Sequence, residues 1–378
     1  MYASRMDSVA AQTRATPGQR WSAPLASARR AAPYALLGLA VLAPFALSAG
    51  DDVVGDMVLA AAYVVMALGL NIVVGFAGLL DLGYVAFYAI GAYTAAHLAS
   101  GFWDNAGAGG EGVAILVGGP AAELPGIHMS FLLVLVVAAV ATTLAGVVIG
   151  VPTLRLRGDY IAIMTLAFGE IIGQVAANGR DIALLGGTLT AGPINIGPID
   201  RIDLPLLAPF DAVNLRPWYW FALALVVLAI VVNLRLRDSR VGRAWIAMRT
   251  DEDVAAAAGI PVARTKLLAY ATGAALCGVS GAFLASYLSV VNAEQFQFSF
   301  SIFIFTMVVV GGLGSITGVV LGAILFSEVN NYLLPDVLST LPGRVGLDFD
   351  FSMITSGVYG AVIVIVMLLR PSGLVPAR

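Results

Sequence analysis

The sequence is poor in charge. Only 11% of its 378 residues are Asp, Glu, Lys or Arg, whereas 60% are hydrophobic, and the mean hydropathy is +0.92. A soluble domain carries roughly 25% charged residues because polar groups must cover its surface. The composition therefore excludes a soluble globular protein and predicts a protein that lives in a lipid bilayer.

Residue types that carry chemistry are scarce as well. Lys266 is the only lysine, and no GxxxxGK[ST] motif is present, so the chain has no phosphate-binding P-loop and does not hydrolyse ATP by itself. Cys277 is the only cysteine, which excludes an internal disulfide. His97 and His128 are the only histidines, so a histidine metal site is not expected. We expect neither an enzyme nor a cofactor-binding or nucleic-acid-binding chain.

Long hydrophobic runs are abundant. A helix needs about 20 apolar residues to cross a bilayer, and backbone polar groups in lipid must be paired within their own segment. The sequence has about ten such windows, which predicts an all-α integral membrane protein with about ten transmembrane helices. The windows are 31–50, 55–76, 84–103, 128–152, 159–178, 217–234, 265–290, 298–312, 314–334 and 351–369. At 15 residues, the window 298–312 is the shortest.

The basic residues predict the orientation. Threading ten helices from a cytoplasmic N terminus places 16 of the 20 Lys and Arg residues on one side, as the positive-inside rule requires. These are Arg5, Arg14, Arg20, Arg29, Arg30, Arg155, Arg157, Arg235, Arg237, Arg240, Arg243, Arg249, Arg264, Lys266, Arg370 and Arg378. Arg180, Arg201, Arg216 and Arg344 fall on the other side, together with most loop acids. Both termini are therefore expected in the cytoplasm.

The start of the chain allows two interpretations. Residues 1–28 lack periodicity and predict a disordered cytoplasmic tail, so that the membrane domain covers 29–378. Alternatively, the arginines before the first apolar run and the ALSAGDD sequence at its end could mark a signal peptide cleaved near Ala49. Cleavage would leave nine helices and invert the parity that the charges support, so we expect a retained anchor.

A polar island, DEDVAAAAGIPVARTKL, interrupts the apolar segments at 251–267. Thr250 and Asp253 have the spacing of a capping box, with Asp in place of Glu. Gly259 and Pro261 are typical of a helix end. The island therefore predicts a two-turn cytoplasmic helix with a smooth alanine surface. Such a helix could enter a groove on another protein, or it could merely connect two membrane segments.

Four ordered sequence blocks carry a resemblance. They are NIVVGFAGLLDLGYVAFYAIGAYTAA, LRLRGDYIAIMTLAFGEII with LTAGPINIG, GRAWIAMRTDEDVAAAAGIPVARTKLLAYATGAALCGVSGAFLA and FTMVVVGGLGSITGVVLGAILF. Together they resemble the permeases of branched-chain amino acid ABC importers, the Liv-type family, and within it the LivM-type subunits. The quoted blocks lie within residues 71–326, the resemblance extends over about 35–370, and the common order of the blocks is far more specific than any single glycine-rich block.

The resemblance implies a type II-like importer permease in a prokaryotic plasma membrane. It implies a heterodimer with a sister permease, two cytoplasmic ATPase subunits that bind ATP and Mg, and an extracytoplasmic substrate-binding protein. The loop 235–266 would contain the coupling helix that enters an ATPase groove. Its residues would be Thr250, Asp251, Glu252, Asp253, Ala256, Ala257 and Gly259. Branched-chain or other hydrophobic amino acids are the expected cargo, with urea, short amides or another small polar solute as the alternative.

The candidates for the translocation pathway are Asn71, Tyr84, Thr165, Glu170 and Gln174. Family members commonly read GLLSLGHAAF where this chain has GLLDLGYVAF, so Asp81 and Tyr84 depart from that pattern. We expect Asp81 to be solvated at the cytoplasmic interface. Glu170 lies roughly 16 Å into a core about 30 Å thick. Three interpretations of Glu170 are open. It contacts the ammonium group of a solute, it is a buried hydrogen-bonded residue that fixes helix packing, or the helix register differs from the one assumed. The packing interpretation is slightly favoured over the pathway contact.

Five glycines mark two predicted helix junctions, Gly75, Gly78, Gly311, Gly312 and Gly314. Both junctions read VVGxxG, which is either a short internal repeat or chance. Glycines there are expected to permit tight turns or close packing rather than to contact solute. An ion-driven secondary transporter is a more distant alternative function, because it would need paired ionisable groups near the midplane, and Glu170 is the only central carboxylate.

Overall fold

The structure is a computed structural model. It describes residues 52–103, 112–117, 125–156, 158–184, 187–202, 210–211, 213–331 and, near the C terminus, 357, 361, 364–365, 368–369 and 373–375. The expected tail 1–28, the helix predicted at 31–50 and most of the helix predicted at 351–369 lie outside the described residues.

Ten α-helices occur in the described residues, and most of them are apolar. In chain order they are α1 (Asp52–Leu70, continued by a π-helical turn at Asn71–Phe76), α2 (Val85–Leu98), α3 (Phe131–Thr153), α4 (Asp159–Asn178), α5 (Arg216–Asp238), α6 (Arg240–Thr250), α7 (Glu252–Ala257), α8 (Val262–Leu288), α9 (Phe298–Gly311) and α10 (Ile316–Glu328). Short 3-10 turns follow at Gly101–Trp103, Gly179–Asp181 and Ala293–Phe296.

Five of these helices are long and apolar enough to cross a bilayer: α1 with its π-helical turn, α3, α4 with the following turn, α5 and α8. Helices α2, α9 and α10 match three further predicted windows but are shorter. At 14 residues, α9 spans roughly 21 Å, less than the thickness of a hydrocarbon core of about 30 Å. The described residues are thus mostly helical and contain five candidate spans, as a multi-pass architecture requires, and the count of ten stays a prediction.

Two small sheets accompany the helices, although no strand was expected. Strand β1 (Ala99–Ser100) pairs antiparallel with β3 (Ile127–Met129), which pairs parallel with β2 (Val113–Ile115). Strands β4 (Ala183–Leu184) and β5 (Gly187–Thr188) form an antiparallel pair. Helix α2 ends five residues before its predicted window does because the chain enters β1.

Helix α8 lies at the centre of the bundle and packs against α1, α2 and α3. Small residues allow this close packing. A Cβ atom on Gly273 would lie 2.9 Å from the carbonyl oxygen of Gly69, and one on Gly281 would lie 2.6 Å from that of Tyr88. Lipid offers no hydrophobic driving force between helices, so close backbone approach is a main source of their association. The fully buried Cys277 belongs to this interface.

The two ends of the bundle differ in chemistry. At one end, β3 carries the buried His128, whose Nδ1 lies 2.6 Å from Oδ2 of Asp200. The Ser286 hydroxyl from the end of α8 donates to the Asp200 carbonyl at 2.7 Å. The other end carries α6, α7 and the arginines of the basic loop, defined as residues 235–266.

Candidate docking loop and translocation site

Asp251 begins α7. Its backbone is extended, and its Oδ1 accepts hydrogen bonds from the N–H groups of Asp253 at 2.9 Å and Val254 at 3.0 Å. The predicted cap at Thr250 is wrong, because Thr250 still belongs to α6 and its hydroxyl donates to the Ile246 carbonyl at 3.0 Å. Asp251 satisfies two N-terminal N–H groups and also places a negative charge at the positive end of the helix dipole.

The C-terminal end of α7 follows the prediction. Gly259 adopts a φ of +87°, a conformation that glycine reaches without steric cost. Its N–H donates to the carbonyl of Ala256 at 3.0 Å, and the N–H of Ile260 donates to that of Ala255 at 3.1 Å. These two bonds form a Schellman motif, which stops the helix after about two turns.

The surface of α7 is open on three sides. Asp253, Val254, Ala256 and Ala257 are exposed, and Val254 exposes 65% of its area, whereas Ala255 is buried against the bundle. The helix therefore presents small side chains and one apolar side chain at the end of the molecule. This shape admits close approach by another protein.

Helix α7 is attached firmly to α8. The Nζ atom of Lys266 lies 2.9 Å from Oε1 of Glu252 in the first turn of α7, and the lysine side chain is almost completely buried. Removing one partner of a buried ion pair lowers the stability of a protein by roughly 3 to 5 kcal/mol, because the other charge is left buried and unpaired. In addition, Trp245 of α6 donates from Nε1 to the Thr265 carbonyl at 2.8 Å. Helices α6, α7 and the start of α8 therefore form one unit. The sequence analysis did not predict this ion pair, although Lys266 is the only lysine.

The two glycine junctions meet in space. Oδ1 of Asn71, in the π-helical turn, accepts a hydrogen bond from the Gly314 N–H at 2.8 Å. A Cβ atom on Gly75 would lie 2.6 Å from the same Gly314 nitrogen. Gly78, Gly312 and Gly314 have φ values of +71°, +116° and +85°. The expectation of tight turns and close packing at these glycines is confirmed.

Three pathway candidates are buried inside this chain. Asn71 is bound to Gly314, the Tyr84 hydroxyl donates to the Gly273 carbonyl at 2.9 Å, and the Thr165 hydroxyl accepts from the Leu82 N–H at 3.0 Å. Each is at most 1% exposed. Tyr84 and Thr165 anchor the segment 77–84 between α1 and α2, and Asn71 joins the two junctions.

Asp81 lies in that same segment, and the expectation that water surrounds it is wrong. It is 2% exposed, its Oδ1 accepts from the Gly83 N–H at 3.0 Å, and its Oδ2 has no hydrogen-bond partner among the described residues. Burial raises the pKa of Asp81 to about 7, although the hydrogen bond from the Gly83 N–H opposes the shift. The segment folds inward because Leu82 is bound to Thr165 and Tyr84 to Gly273.

Glu170 lies in the middle of α4, on the surface of the chain. Glu170, Gln174 and Asn178 follow at intervals of four residues and are all exposed, so they share one helix face. Asn178 donates to the Gln174 carbonyl at 2.9 Å. The helix register is as predicted, and the slightly favoured burial of Glu170 within this chain is contradicted. Thr165 lies on another face of α4 and does not extend this polar stripe, which consists of the three exposed residues.

Residues 53–367 match the protein family described as the permease component of the branched-chain amino acid transport system. The chain belongs to this family. The permease is 35% identical to the high-affinity branched-chain amino acid transport system permease protein LivM of Salmonella typhimurium, over 90% of this chain and 74% of the relative. The probable LivM of Methanocaldococcus jannaschii is 24% identical, over 84% of this chain and 91% of the relative.

A second type of relative covers a part of the permease. The permease protein LivH of Salmonella typhimurium is 30% identical over 41% of this chain and 45% of the relative. No solved structure matches the permease. Family membership and the apolar helices together establish a multi-pass membrane protein that serves as a transport component.

Proposed function

We propose that this permease is one of two membrane subunits of an ATP-driven importer for branched-chain or other hydrophobic amino acids, with both termini in the prokaryotic cytoplasm. Relatives named LivM and LivH are both permease proteins of a branched-chain amino acid transport system, which supports a LivH-type sister subunit here. These names give no support to urea, short amides or an ion-coupled mechanism.

The observation that carries the proposal is the exposed, capped helix α7. Its ends are fixed by Asp251 and Gly259, and the Lys266 to Glu252 ion pair joins it to α8. A helix that only connected two membrane segments would need neither the buried ion pair nor an exposed apolar Val254. We propose that α7 is the coupling helix and that Asp253, Val254, Ala256 and Ala257 enter a groove of an ATPase subunit.

Transport would follow from movement of this docked helix. ATP and Mg would be bound by two partner ATPase subunits, and closure of that pair would pull α7 and its counterpart on the sister subunit together. Since α7 is attached to α8, and α8 is the central helix of the bundle, the displacement would reach α1, α2 and α3. The binding protein would deliver the amino acid from the opposite side.

The polar stripe of Glu170, Gln174 and Asn178 supports a location for the pathway. A carboxylate near the midplane costs roughly 2.5 to 3.5 kcal/mol when it faces lipid, so protein or water should cover this face. Because the stripe is exposed in the single chain, we propose that it faces the sister subunit across the translocation pathway. Glu170 could then attract the ammonium group of the passing amino acid.

Co-purification tests the coupling assignment. The permease would be expressed with its partner genes, tagged, extracted in mild detergent and analysed by mass spectrometry. We expect a second multi-helix subunit and a P-loop ATPase to accompany it. Val254→Arg should reduce the recovered ATPase by about tenfold or more, because a charge at the centre of a docked surface typically costs over 1.4 kcal/mol.

Val213→Arg is the matched control, because Val213 is 81% exposed and precedes α5 rather than lying in the basic loop. It should leave ATPase recovery unchanged. Normal recovery and normal amino acid uptake with Val254→Arg would contradict the docking role of α7.

Glu170→Gln tests the pathway assignment. The change keeps the shape of the side chain and removes its charge, so assembly should be preserved while leucine uptake falls by roughly tenfold, the effect of losing about 1.4 kcal/mol of favourable interaction. Glu294→Gln, at an exposed acid in the turn Ala293–Phe296, is the control. Uptake equal to that of the control would exclude a role for the Glu170 charge in solute passage.

A further inference from the structure

Arg249 joins the basic loop to the first glycine junction. It lies in the last turn of α6, two residues before Asp251, the residue that caps α7. Its Nη1 donates a hydrogen bond to the Gly75 carbonyl oxygen at the end of α1. A charged donor makes a stronger bond to a carbonyl than a neutral donor does. This contact therefore links the loop that carries α7 to the end of a membrane helix 174 residues away in sequence.

The stem of the same side chain rests on Gly78. A Cβ atom on Gly78 would lie 2.6 Å from Cγ of Arg249 and 3.0 Å from its Cβ. Gly78 also has a φ of +71°, so the turn both requires glycine for its backbone and uses the missing side chain to admit the arginine. Arg249 thus touches the first and the last glycine of this VVGxxG turn.

The first glycine turn also contacts the second. Asn71 binds the Gly314 N–H, and Gly75 packs against the Gly314 nitrogen. The end of α1 and the connection between α9 and α10 are therefore in direct contact, and Arg249 touches the α1 side of this pair. A displacement of Arg249 would be passed to both turns because close-packed backbone cannot absorb it.

Space is available for such a displacement. A cavity of about 180 Å³ lies beside the contact, bordered by Gly78, Arg249, Glu252 and the start of α4 at Gly158 and Asp159. Arg249 is itself an exposed residue, so its side chain is not locked in a core. The contact can therefore shift without a clash, in contrast to the tightly packed interface of α8 with α1 and α2.

We infer that Arg249 is a positioning residue that transmits movement of α7 to the paired glycine turns and thereby to the ends of α1 and α9. The inference rests on the proposed docking of α7. Lys266 holds α7 to α8 and Trp245 holds α6 to α8, whereas Arg249 carries the same movement to the opposite side of the loop, where the two turns meet. The bundle is then driven at two points, and loss of one leaves ATP turnover without efficient transport.

The test uses the assembled transporter in proteoliposomes with its binding protein and leucine. Arg249→Ala should assemble, retain basal ATPase activity within about twofold and lose roughly tenfold in leucine imported per ATP hydrolysed, equivalent to about 1.4 kcal/mol of coupling. Arg249→Lys, which retains a cationic donor, should recover a part of this ratio. Arg243→Ala removes an exposed arginine that donates to the Asp238 carbonyl of the same region, and it should behave as the wild type.

A second variant keeps the inference testable if Arg249→Ala does not assemble. Asn71→Ala removes the bond to Gly314 without altering the basic loop, and we expect the same fall in leucine imported per ATP. An unchanged ratio in assembled Arg249→Ala, or in Asn71→Ala when the former fails to assemble, overturns the inference. The docking assignment has its own test. It is contradicted only if the Val254→Arg variant retains both the bound ATPase subunit and amino acid uptake.

Discussion

The two glycine turns share a sequence pattern and a positive φ at their last glycine but have different neighbours. VVGFAG at 73–78 and VVGGLG at 309–314 both end in a glycine with positive φ. The first turn lies under the side chain of Arg249. The second turn is bound by main chain, since the N–H groups of Leu374 and Val375 donate to the carbonyls of Val310 and Gly311 at 2.9 and 3.2 Å. The first turn thus contacts a long side chain of the basic loop, whereas the second is bound by main chain in addition to the Asn71 side chain.

This difference separates a turn that is tied to other backbone from one that contacts a single long side chain. The main-chain bonds on Val310 and Gly311 join the second turn to Leu374 and Val375, so these residues should move together. A single arginine side chain, in contrast, can change rotamer and follow the loop to which it belongs. A repeated motif therefore does not imply a repeated role, and the first turn is the one that contacts an arginine of the basic loop.

The residues that follow the turns differ as well. Ser315 caps α10, and its hydroxyl accepts from the Gly318 N–H at 3.2 Å. Asp81 accepts from the Gly83 N–H at 3.0 Å in the equivalent connection of the first turn. A buried carboxylate replaces a neutral hydroxyl there, so the first turn should respond to pH and the second should not.

Adding a methyl group to a glycine of each turn should produce the largest difference in stability between the two turns. In Gly311→Ala the new Cβ would overlap the Gly318 carbonyl and lie 2.7 Å from Cα of Val319, all of it backbone that cannot rotate away. We expect a loss beyond about 3 kcal/mol, at the upper end of overpacking effects, and little folded protein. Gly75→Ala meets the Asn71 side chain as well as the Gly314 nitrogen, so its loss should be smaller.

Gly55→Ala in α1 is the control for this pair, because its nearest atom would be the Tyr287 hydroxyl oxygen at 3.3 Å. The measurement is the melting temperature of the detergent-solubilised transporter. Equal melting temperatures for Gly311→Ala and Gly55→Ala would show that close backbone packing does not stabilise the second turn.

Hydrophobic windows predicted the eight described membrane helices because lipid imposes length and apolarity on any segment that crosses it. Helix ends were predicted less well. Helix α2 stops where Ala99 pairs with His128, and no local signal reveals a pairing partner 29 residues away. The short strands were missed for the same reason, since each has only two or three residues.

The site shows the same division between local and long-range information. Gly259 was predicted correctly because a helix terminator is a local signal, whereas Thr250 was wrong because its capping-box spacing with Asp253 also occurs by chance beside a stronger capping residue, Asp251. The burial of Asp81 depends on Thr165 and Gly273, which come from other helices. The Arg249 contact with Gly75 joins residues that are 174 apart, and the Lys266 pair with Glu252 crosses the whole of α7, so no local pattern reveals either contact.

Replacing Asp81 with Asn should sharpen the comparison with the smallest effect. Because burial raises the pKa of Asp81 from 3.8 to about 7, its neutral form is favoured in the folded protein. Below about pH 3.8 the carboxyl group is neutral in both the folded and the unfolded protein, so stability is at its full value. Above that pH the unfolded protein loses the proton first, so stability falls until the pH has risen through 7. We expect the melting temperature of the wild type to fall between pH 5 and pH 8 and that of Asp81→Asn to vary less.

The same contacts set the expected size of the Asp81→Asn effect and provide its control. A pKa shift of about three units corresponds to roughly 4 kcal/mol as an upper bound, and Asn recovers only a part of it because its amide group must also find partners. Asn can still accept from the Gly83 N–H, so the turn should persist. Ser315→Ala removes a neutral cap, which costs about 1 kcal/mol at every pH. If Asp81→Asn and Ser315→Ala showed parallel pH profiles, the carboxylate would not be what makes the first turn different from the second.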